Sequence, residues 1–494
     1  MDWKEEYKRK LVSAEEAVKI VKSGDRVALG GSTEEPQALT EALFARRDEL
    51  KGVKIIDLCP MRDYAWSYVG YEESFEVELM CFAGPIARDR VNDRTTTFIP
   101  NTLVLTQKAD ERAGEGKVID VDMVTVSPPD KQGFCCFGPE LWWKKDWLAK
   151  ARKVIAEVNS NMRWVCGPDT TIHVSEIDCF VEHTPAAISD EELPQRVAHI
   201  EDEVKRQKMI EYGLLILPEG RPRALELFEF FSVEQIDSLA QVMGWVPPRE
   251  SREFEAIAGY VNLLVNSRDT VQIGIGLPSM FLPHFGCFAD KEDLGYHGEI
   301  QARGVIMLVK EEQITGKYKT LHPNRYICNS FVGASPEEVD YATENSKFEL
   351  HSACYTTDPR VVAMNDNMVT INNALSVDLT GQMNSETIFG SLLANGPGGL
   401  PELHLGALLS KGGRAITAMR STVMGGTVST IVPQFEPGTV VTVPRHYADY
   451  IVTEHGIAKL MNKNFRERAQ ELISVAHPDH RAELKREAKR LFWP

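Results

Sequence analysis

Two kinds of residue in this chain could do chemistry together. One is a carboxylate, Glu299, set in Asp293-Leu294-Gly295-Tyr296-His297-Gly298-Glu299-Ile300. The other is a glycine turn shortly before it, Gly274-Ile275-Gly276-Leu277-Pro278. Glycines let a backbone approach a ligand closely. The turn could therefore hold a carbonyl against backbone N–H groups, and a carboxylate could attack that carbonyl as a nucleophile. Gly295 and Gly298 flank Tyr296 and His297, which could present Glu299 on an unusual bend. Each part also has a plain reading. A loop glutamate is ordinarily solvated, His297 is more often a hydrogen-bonded structural residue than a base, and a glycine turn can be an ordinary strand-to-helix connection. A dinucleotide turn is disfavoured, because Ser279 stands where the third glycine of G-x-G-x-x-G belongs and no clear strand-ending acid follows about 20 residues on.

Three further small-residue clusters could donate N–H groups. Asn395-Gly396-Pro397-Gly398-Gly399 follows Val377-Asp378-Leu379-Thr380-Gly381-Gln382, and Gly425-Gly426 precedes Thr427-Val428-Ser429-Thr430. Gly30-Gly31-Ser32, with Pro36, could form an oxyanion-type site. The alternative for each is a tight turn in which glycine serves only positive φ.

The elements that must position these residues alternate between strand and helix. Val53–Leu58 and Lys153–Val158 read as buried strands and Glu35–Arg46 as a helix. That pattern specifies an α/β fold with mainly parallel sheets. Val271, Ile273 and Ile275 alternate as in a strand, and Pro278 is expected to open a helix whose N–H groups and positive dipole end face an anion. The halves echo each other. Ser23-Gly24-Asp25-Arg26-Val27-Ala28-Leu29-Gly30-Gly31 leads to Pro36, and Ser267-Arg268-Asp269-Thr270-Val271-Gln272-Ile273-Gly274-Ile275-Gly276 leads to Pro278. Both spell turn, strand, glycine bend and a helix with proline near its start. Two related open α/β domains follow, residues 1–225 and 226–494. The boundary falls between Pro218 and Arg252, with a helical segment, Ser232 to Met243, inside it.

Composition limits the partners. A chain of 494 residues exceeds one ordinary core. Its 43% hydrophobic and 26% charged residues are a globular balance. The net charge of −17 argues against nucleic acid. Apolar runs fall short of a membrane span, and the charged start, Met1-Asp2-Trp3-Lys4-Glu5-Glu6, lacks an export signal, so a cytoplasmic protein is expected. Nine scattered cysteines without repeated spacing read as reduced thiols, with no zinc pattern and no metal expected. Cys135-Cys136 could be redox-active or, as free cysteines usually are, small buried hydrophobes.

Taken together the motifs resemble the acetyl-CoA hydrolase/transferase family, the branch of family I CoA-transferases that includes 4-hydroxybutyrate CoA-transferase. Besides the segments above, the resemblance rests on Val126-Ser127-Pro128-Pro129-Asp130 with Gly133, Val158-Asn159-Ser160-Asn161-Met162 and Ile172-His173-Val174-Ser175-Glu176-Ile177-Asp178. In the second half it rests on Ile371-Asn372-Asn373-Ala374-Leu375-Ser376, Val452-Thr453-Glu454-His455-Gly456-Ile457-Ala458 and Ala476-His477-Pro478-Asp479-His480-Arg481. It implies paired α/β domains of the type shared with sugar-phosphate isomerases, with the active site between them. Glu299 falls on the family's nucleophile. Gly274, Ile275, Gly276, Leu277 and Pro278 fall on the CoA-binding loop, and Asn395, Gly398 and Gly399 on its partner loop. Met424 sits where a CoA-contacting lysine is expected, and Gly31 and Ser32 lie near the segment shaping the acyl pocket. CoA and acyl-CoA are implied as substrates rather than tightly held cofactors, with a small carboxylic acid as co-substrate and a homodimer as the assembly.

The chain departs from the family pattern in four places. Gly399-Leu400-Pro401-Glu402-Leu403 replaces a run with glutamine and an aspartate-aromatic pair, Met424 replaces lysine, Thr430 replaces arginine, and Gly298 replaces threonine. The implied chemistry is CoA transfer by a ping-pong route through a glutamyl-CoA thioester, with Glu299 expected to be an anion already at neutral pH. Two other readings use the same residues: an acyl-CoA hydrolase, and a non-catalytic sensor of an acyl-CoA or sugar phosphate. Tyr64, Trp66, Tyr68, Trp142, Trp143 and Trp147 could line a large pocket or merely pack.

Overall fold

The structure is a computed structural model that describes residues 2–31, 34–60, 64–80, 85–108, 116, 118–242, 244–246 and 251–494. Ser32 and part of the expected boundary, including Pro247 and Pro248, lie outside the described residues. The chain divides into two compact units, Met1–Ala240 with Asn329–Cys354, and Gln241–Cys328 with Tyr355–Pro494. The helix expected near the boundary runs over Val233–Val242.

The first unit is built on β1 (Arg26–Leu29), β2 (Val53–Asp57), β3 (Phe75–Leu79), β4 (Thr97–Phe98), β5 (Ile119–Val126), β6 (Ala151–Val158) and β7 (Cys179–Glu182). They form one sheet in the order β4-β3-β2-β1-β5-β6-β7, and every pairing is parallel. The second unit uses β8 (Thr270–Ile273), β9 (Gly295–His297), β10 (Tyr326–Cys328), β11 (Met368–Asn373), β12 (Arg414–Ala418), β13 (Tyr450–Thr453) and β14 (Gly456–Lys459). Their order is β10-β9-β8-β11-β12-β13-β14, parallel except for the last pair. The internal echo is thus structural. Each unit places the strand that feeds its glycine bend, β1 or β8, in the middle of its sheet.

Burial explains why these strands read as nearly continuous apolar runs. Parallel sheets are covered on both faces, and all four residues of β8 are buried. The alternation read at Val271, Ile273 and Ile275 therefore does not describe a half-exposed strand: β8 ends at Ile273, and Ile275 is 37% exposed. Gln272 is tolerated at 1% exposure because its amide exchanges hydrogen bonds with Asn372 on the neighbouring strand, at 3.2 and 3.1 Å. That exchange satisfies groups whose burial without partners would be costly.

The two bends differ downstream. Pro36 caps the helix Gln37–Ala45, which buries Leu39 and Leu43. After Pro278 there is only one 3-10 turn, Ser279–Phe281. The expected helix dipole at Pro278 is therefore absent. The Ser279 N–H that it would have offered donates to Asn373 Oδ1 at 2.8 Å. Another helix of the second unit, Leu400–Leu409, is fixed by packing Leu403 and Ala407 against Val362, Met368 and Ala415. No helix among the described residues is long and apolar enough to cross a membrane.

Candidate functional site

Strand register brings the principal candidates into one row. β8 and β9 pair Thr270 with Gly295 and Val271 with Tyr296. Continued beyond β9, that register sets Glu299 level with Gly274. On the other side β8 and β11 pair Ile273 with Ile371, which sets Asn372 level with Gly274. All three residues stand at the carboxyl ends of adjacent parallel strands, where open α/β sheets bind their ligands.

The glycine turn is moulded by β11. A Cβ on Gly274 would lie 2.3 Å from Asn372 Oδ1, so no side chain fits there. Gly276 has φ +111°, a left-handed value that favours glycine. Asn373 ties the turn at both ends: its Nδ2 donates to Ile275 O at 3.0 Å and its Oδ1 accepts from Ser279 N. Ser279 Oγ donates to Gly274 O at 2.7 Å. Gly274 N–H is taken by Ile371 O at 2.8 Å. Gly274, Gly276 and Leu277 are partly exposed while Pro278 is buried.

Glu299 leaves the end of β9 just beyond Gly298, whose N–H donates to Ile327 O at 3.0 Å. A Cβ on Gly298 would sit 3.0 Å from the Tyr296 hydroxyl and 3.2 Å from Gln272 Cγ, so this glycine admits Tyr296 beneath the nucleophile candidate. Tyr296 stacks on Tyr326 at 4.2 Å and donates its hydroxyl to Ile300 O at 3.1 Å. His297 is fully buried with Nε2 at 3.0 Å from Thr356 O, the structural role expected of it.

The structure brings Glu299 to Gly399. A Cβ on Gly399 would lie 2.1 Å from Glu299 Oε2, so the carboxyl rests on the bare Cα. The Gly399 N–H also donates to it. Gly399 is the N-cap of helix Leu400–Leu409, which has no side-chain cap bond. Glu299 keeps partial access to solvent, yet protein encloses its carboxyl closely enough for desolvation to dominate. Burial pushes its pKa from the ordinary 4.5 up to about 8, Glu402 adds to the rise by charge repulsion, and the Gly399 N–H opposes it. The expectation of an anion at neutral pH is thereby corrected: in this environment the proton stays on until mildly alkaline pH.

The remaining candidates are placed as follows. Asn395 N–H donates to Glu386 O at 3.2 Å, anchoring the chain that leads to Gly398, at φ +55°, and Gly399. Met424, at φ +52° and 65% exposed, lies on a hairpin of its own with left-handed Gly425 and Gly426. Thr430 is buried and its Oγ1 donates to Arg420 O at 2.6 Å. In the first unit, Gly31 N–H is spent on Leu29 O and Gly30 N–H on Met123 O, both at 3.0 Å, so neither is an available oxyanion donor. What Gly31 provides is room for the fully buried Lys144, whose Cε would be 3.3 Å from an added Cβ. Lys144 Nζ donates to Glu34 Oε2 at 2.6 Å and Phe137 O at 2.8 Å.

Of the aromatic residues, Tyr64 and Trp66 stack at 4.8 Å and line a first-unit groove of about 410 Å³ with Phe44, Arg223 and Phe230. Trp142, Trp143 and Trp147 are buried and pack. The described cysteines are all free thiols. Cys135 is fully buried with its thiol pushed up to about 12 by burial, which favours the inert reading over the redox one.

Sequence reading gave no role to Asn372, Asn373 or Glu402. The asparagines were visible only within a segment that resembles the family, Ile371 to Ser376, with no role attached to them. Glu402 had a sharper signal, since it lies three residues after the cap glycine, where a capping box places its glutamate.

Comparison with known proteins gives a consistent answer. The acetyl-CoA hydrolase/transferase N-terminal domain model matches residues 1–189 and the C-terminal domain model residues 335–488. The chain is 34% identical to 4-hydroxybutyrate coenzyme A transferase of Clostridium kluyveri, over 100% of both proteins. It is 30% identical to succinyl-CoA:cyclohexane-1-carboxylate CoA transferase of Geobacter metallireducens, over 99% of this chain and 97% of that one. Among solved structures, RipA from Yersinia pestis superposes with a TM-score of 0.78 at 28% identity, covering 99% of each chain.

Proposed function

Since the chain belongs to the acetyl-CoA hydrolase/transferase family, we propose that this enzyme moves CoA from an acyl-CoA donor to a small carboxylic acid acceptor, through a glutamyl-CoA thioester on Glu299. The observation that carries this reading is the seat of Glu299, a carboxyl held on a bare glycine Cα and an N–H, level with a tightly moulded glycine turn. The two transferases with which the chain aligns end to end support transfer over hydrolysis.

The ionised Glu299 carboxylate attacks the donor thioester carbonyl and expels CoA thiolate, leaving an acyl-glutamyl anhydride. The thiolate then attacks the glutamyl carbonyl, giving glutamyl-CoA and the free carboxylate of the donor acid. An acceptor carboxylate runs the steps in reverse and leaves with CoA. Each tetrahedral oxyanion needs backbone donors, one of which is worth about 3 kcal/mol. In this reading the Gly399 N–H, which faces the Glu299 carboxyl, serves as one such donor. The turn at Gly274, Ile275, Gly276, Leu277 and Pro278 holds the CoA arm in this reading, with Asn395, Gly398 and Met424 along its path. With methionine and threonine at 424 and 430, the CoA phosphates take fewer cationic contacts than the family pattern provides. A cytoplasmic homodimer belongs to the same proposal, and light scattering on the purified protein checks the assembly.

The decisive experiment incubates the enzyme with an acyl-CoA, traps with borohydride or hydroxylamine, and maps the modified peptide by mass. The adduct is expected on Glu299. Normal turnover by Glu299→Ala, with an adduct elsewhere, overturns the assignment. Thioester loss without an added carboxylate would favour the hydrolase, and ping-pong dependence on an acceptor the transferase.

A further inference from the structure

Gly399 caps a ten-residue helix; the Glu299 carboxyl rests on its bare Cα, and Glu402 stands three residues further along. In a capping box the glutamate three residues after the cap reaches back to the cap's own N–H. Glu402 occupies that position, but the Gly399 N–H is directed at Glu299 instead. Glu402 is only 5% exposed, and Thr357 Oγ1 donates to its Oε2 at 3.1 Å. Pro401, at the second helical position, has no N–H to offer either acid. Among the described residues, the groups acting on Glu299 are the surrounding protein, the Glu402 charge and the Gly399 N–H. Tyr296, packed beneath, commits its hydroxyl to Ile300 O.

Resting on the reading of Glu299 as nucleophile, we propose that Glu402 is a positioning residue that governs the charge state of Glu299, the two acids acting as a pair at one helix start. Two like charges cannot share an enclosed site cheaply, and the pair then titrates as a unit. Glu402 in its charged form keeps Glu299 protonated. A developing oxyanion that takes the Gly399 N–H removes the one contact opposing the rise, and so makes Glu299 more basic. The nucleophile is thereby held discharged against stray electrophiles and becomes reactive as pH rises.

Glu402→Gln separates this role from helix capping, because glutamine also serves at the third position of a capping box. The assay is the pH dependence of kcat/KM for transfer, together with the rate of trapped adduct formation on Glu299. The wild-type acid limb is expected near pH 8. In Glu402→Gln it should move down by about one unit, giving roughly a tenfold higher adduct rate near pH 6. Glu402→Asp, which keeps the charge, should leave the limb in place. Should Glu402→Gln not fold, Thr357→Val tests the same point, since losing the hydroxyl that steadies the Glu402 charge must shift the limb in the same direction. An adduct on Glu299 with an unmoved limb in these variants refutes the pairing alone. Absence of any Glu299 adduct in the wild-type enzyme refutes the underlying nucleophile assignment.

Discussion

Glu299→Gln should make the protein more stable, and more so at higher pH. The substitution keeps the shape of the side chain and removes its titration. In the unfolded chain the carboxyl loses its proton near 4.5; in the folded protein burial holds it to about 8. Between those values the folded state carries a proton that the unfolded state has released. Wild-type stability from this group is therefore complete below pH 4.5 and declines until pH passes about 8. Each unit of difference is about 1.4 kcal/mol. The wild-type deficit is then about 2 kcal/mol at pH 6 and approaches about 5 kcal/mol above pH 8, with partial solvent access making these upper bounds. Glutamine has no such slope. Urea unfolding of both proteins at pH 6 and pH 8.5 should show the advantage of Glu299→Gln growing by up to about 3 kcal/mol, while transfer activity is lost. An advantage that is equal at both pH values would refute the claim that Glu299 is folded in its protonated form. The combination expected, stability gained where activity is lost, is the ordinary signature of a functional group kept in an unfavourable place.

Other consequences of the site geometry are equally direct. Gly399→Ala should fold normally, because φ −84° suits alanine, yet its Cβ would displace the Glu299 carboxyl; kcat/KM should fall by roughly 100-fold or more with a melting temperature nearly unchanged. Asn373→Ala releases both ends of the glycine turn, and should raise KM for acyl-CoA more than it lowers kcat while costing about 1–2 kcal/mol in urea unfolding. Gly298→Thr, the residue the family pattern favours, forces Tyr296 from its stack on Tyr326. It should destabilise by about 1–3 kcal/mol, measured by thermal or urea unfolding.

The sequence made the alternation of strands and helices legible because buried parallel strands are long apolar runs bounded by turn residues. The echo between Gly30 and Gly274 exposed the repeated topology for the same reason: a central strand needs its glycine bend wherever another strand's side chain must fit beneath. Glu299, the Gly274 turn and Gly399 could be nominated from residue type and family pattern. The alignment of Glu299 with the Gly274 turn depended on the pairing register of β8, β9 and β11, which no local motif encodes. The charge state of Glu299 was misjudged because desolvation is a property of the enclosed site and not of the residue. Only one 3-10 turn follows Pro278, and its Ser279 N–H is taken by Asn373, a partner 94 residues along the chain that no local motif reveals. Asn329–Cys354 was likewise invisible as a return to the first unit, because an excursion between two similar sheets leaves no shift in composition.

The row formed by Glu299, Gly274 and Asn372 has a bearing on engineering. Neighbouring strands sit about 4.8 Å apart, so the sheet acts as a ruler that spaces the proposed nucleophile, the glycine turn and Asn372. Loops at other strand ends can be exchanged to admit bulkier or more polar acids while that spacing persists. Insertions or deletions inside β8, β9 or β11 cannot be absorbed in this way. A library aimed at new acceptor acids should therefore vary loop residues, Leu400 included, and leave the three strands at their native lengths.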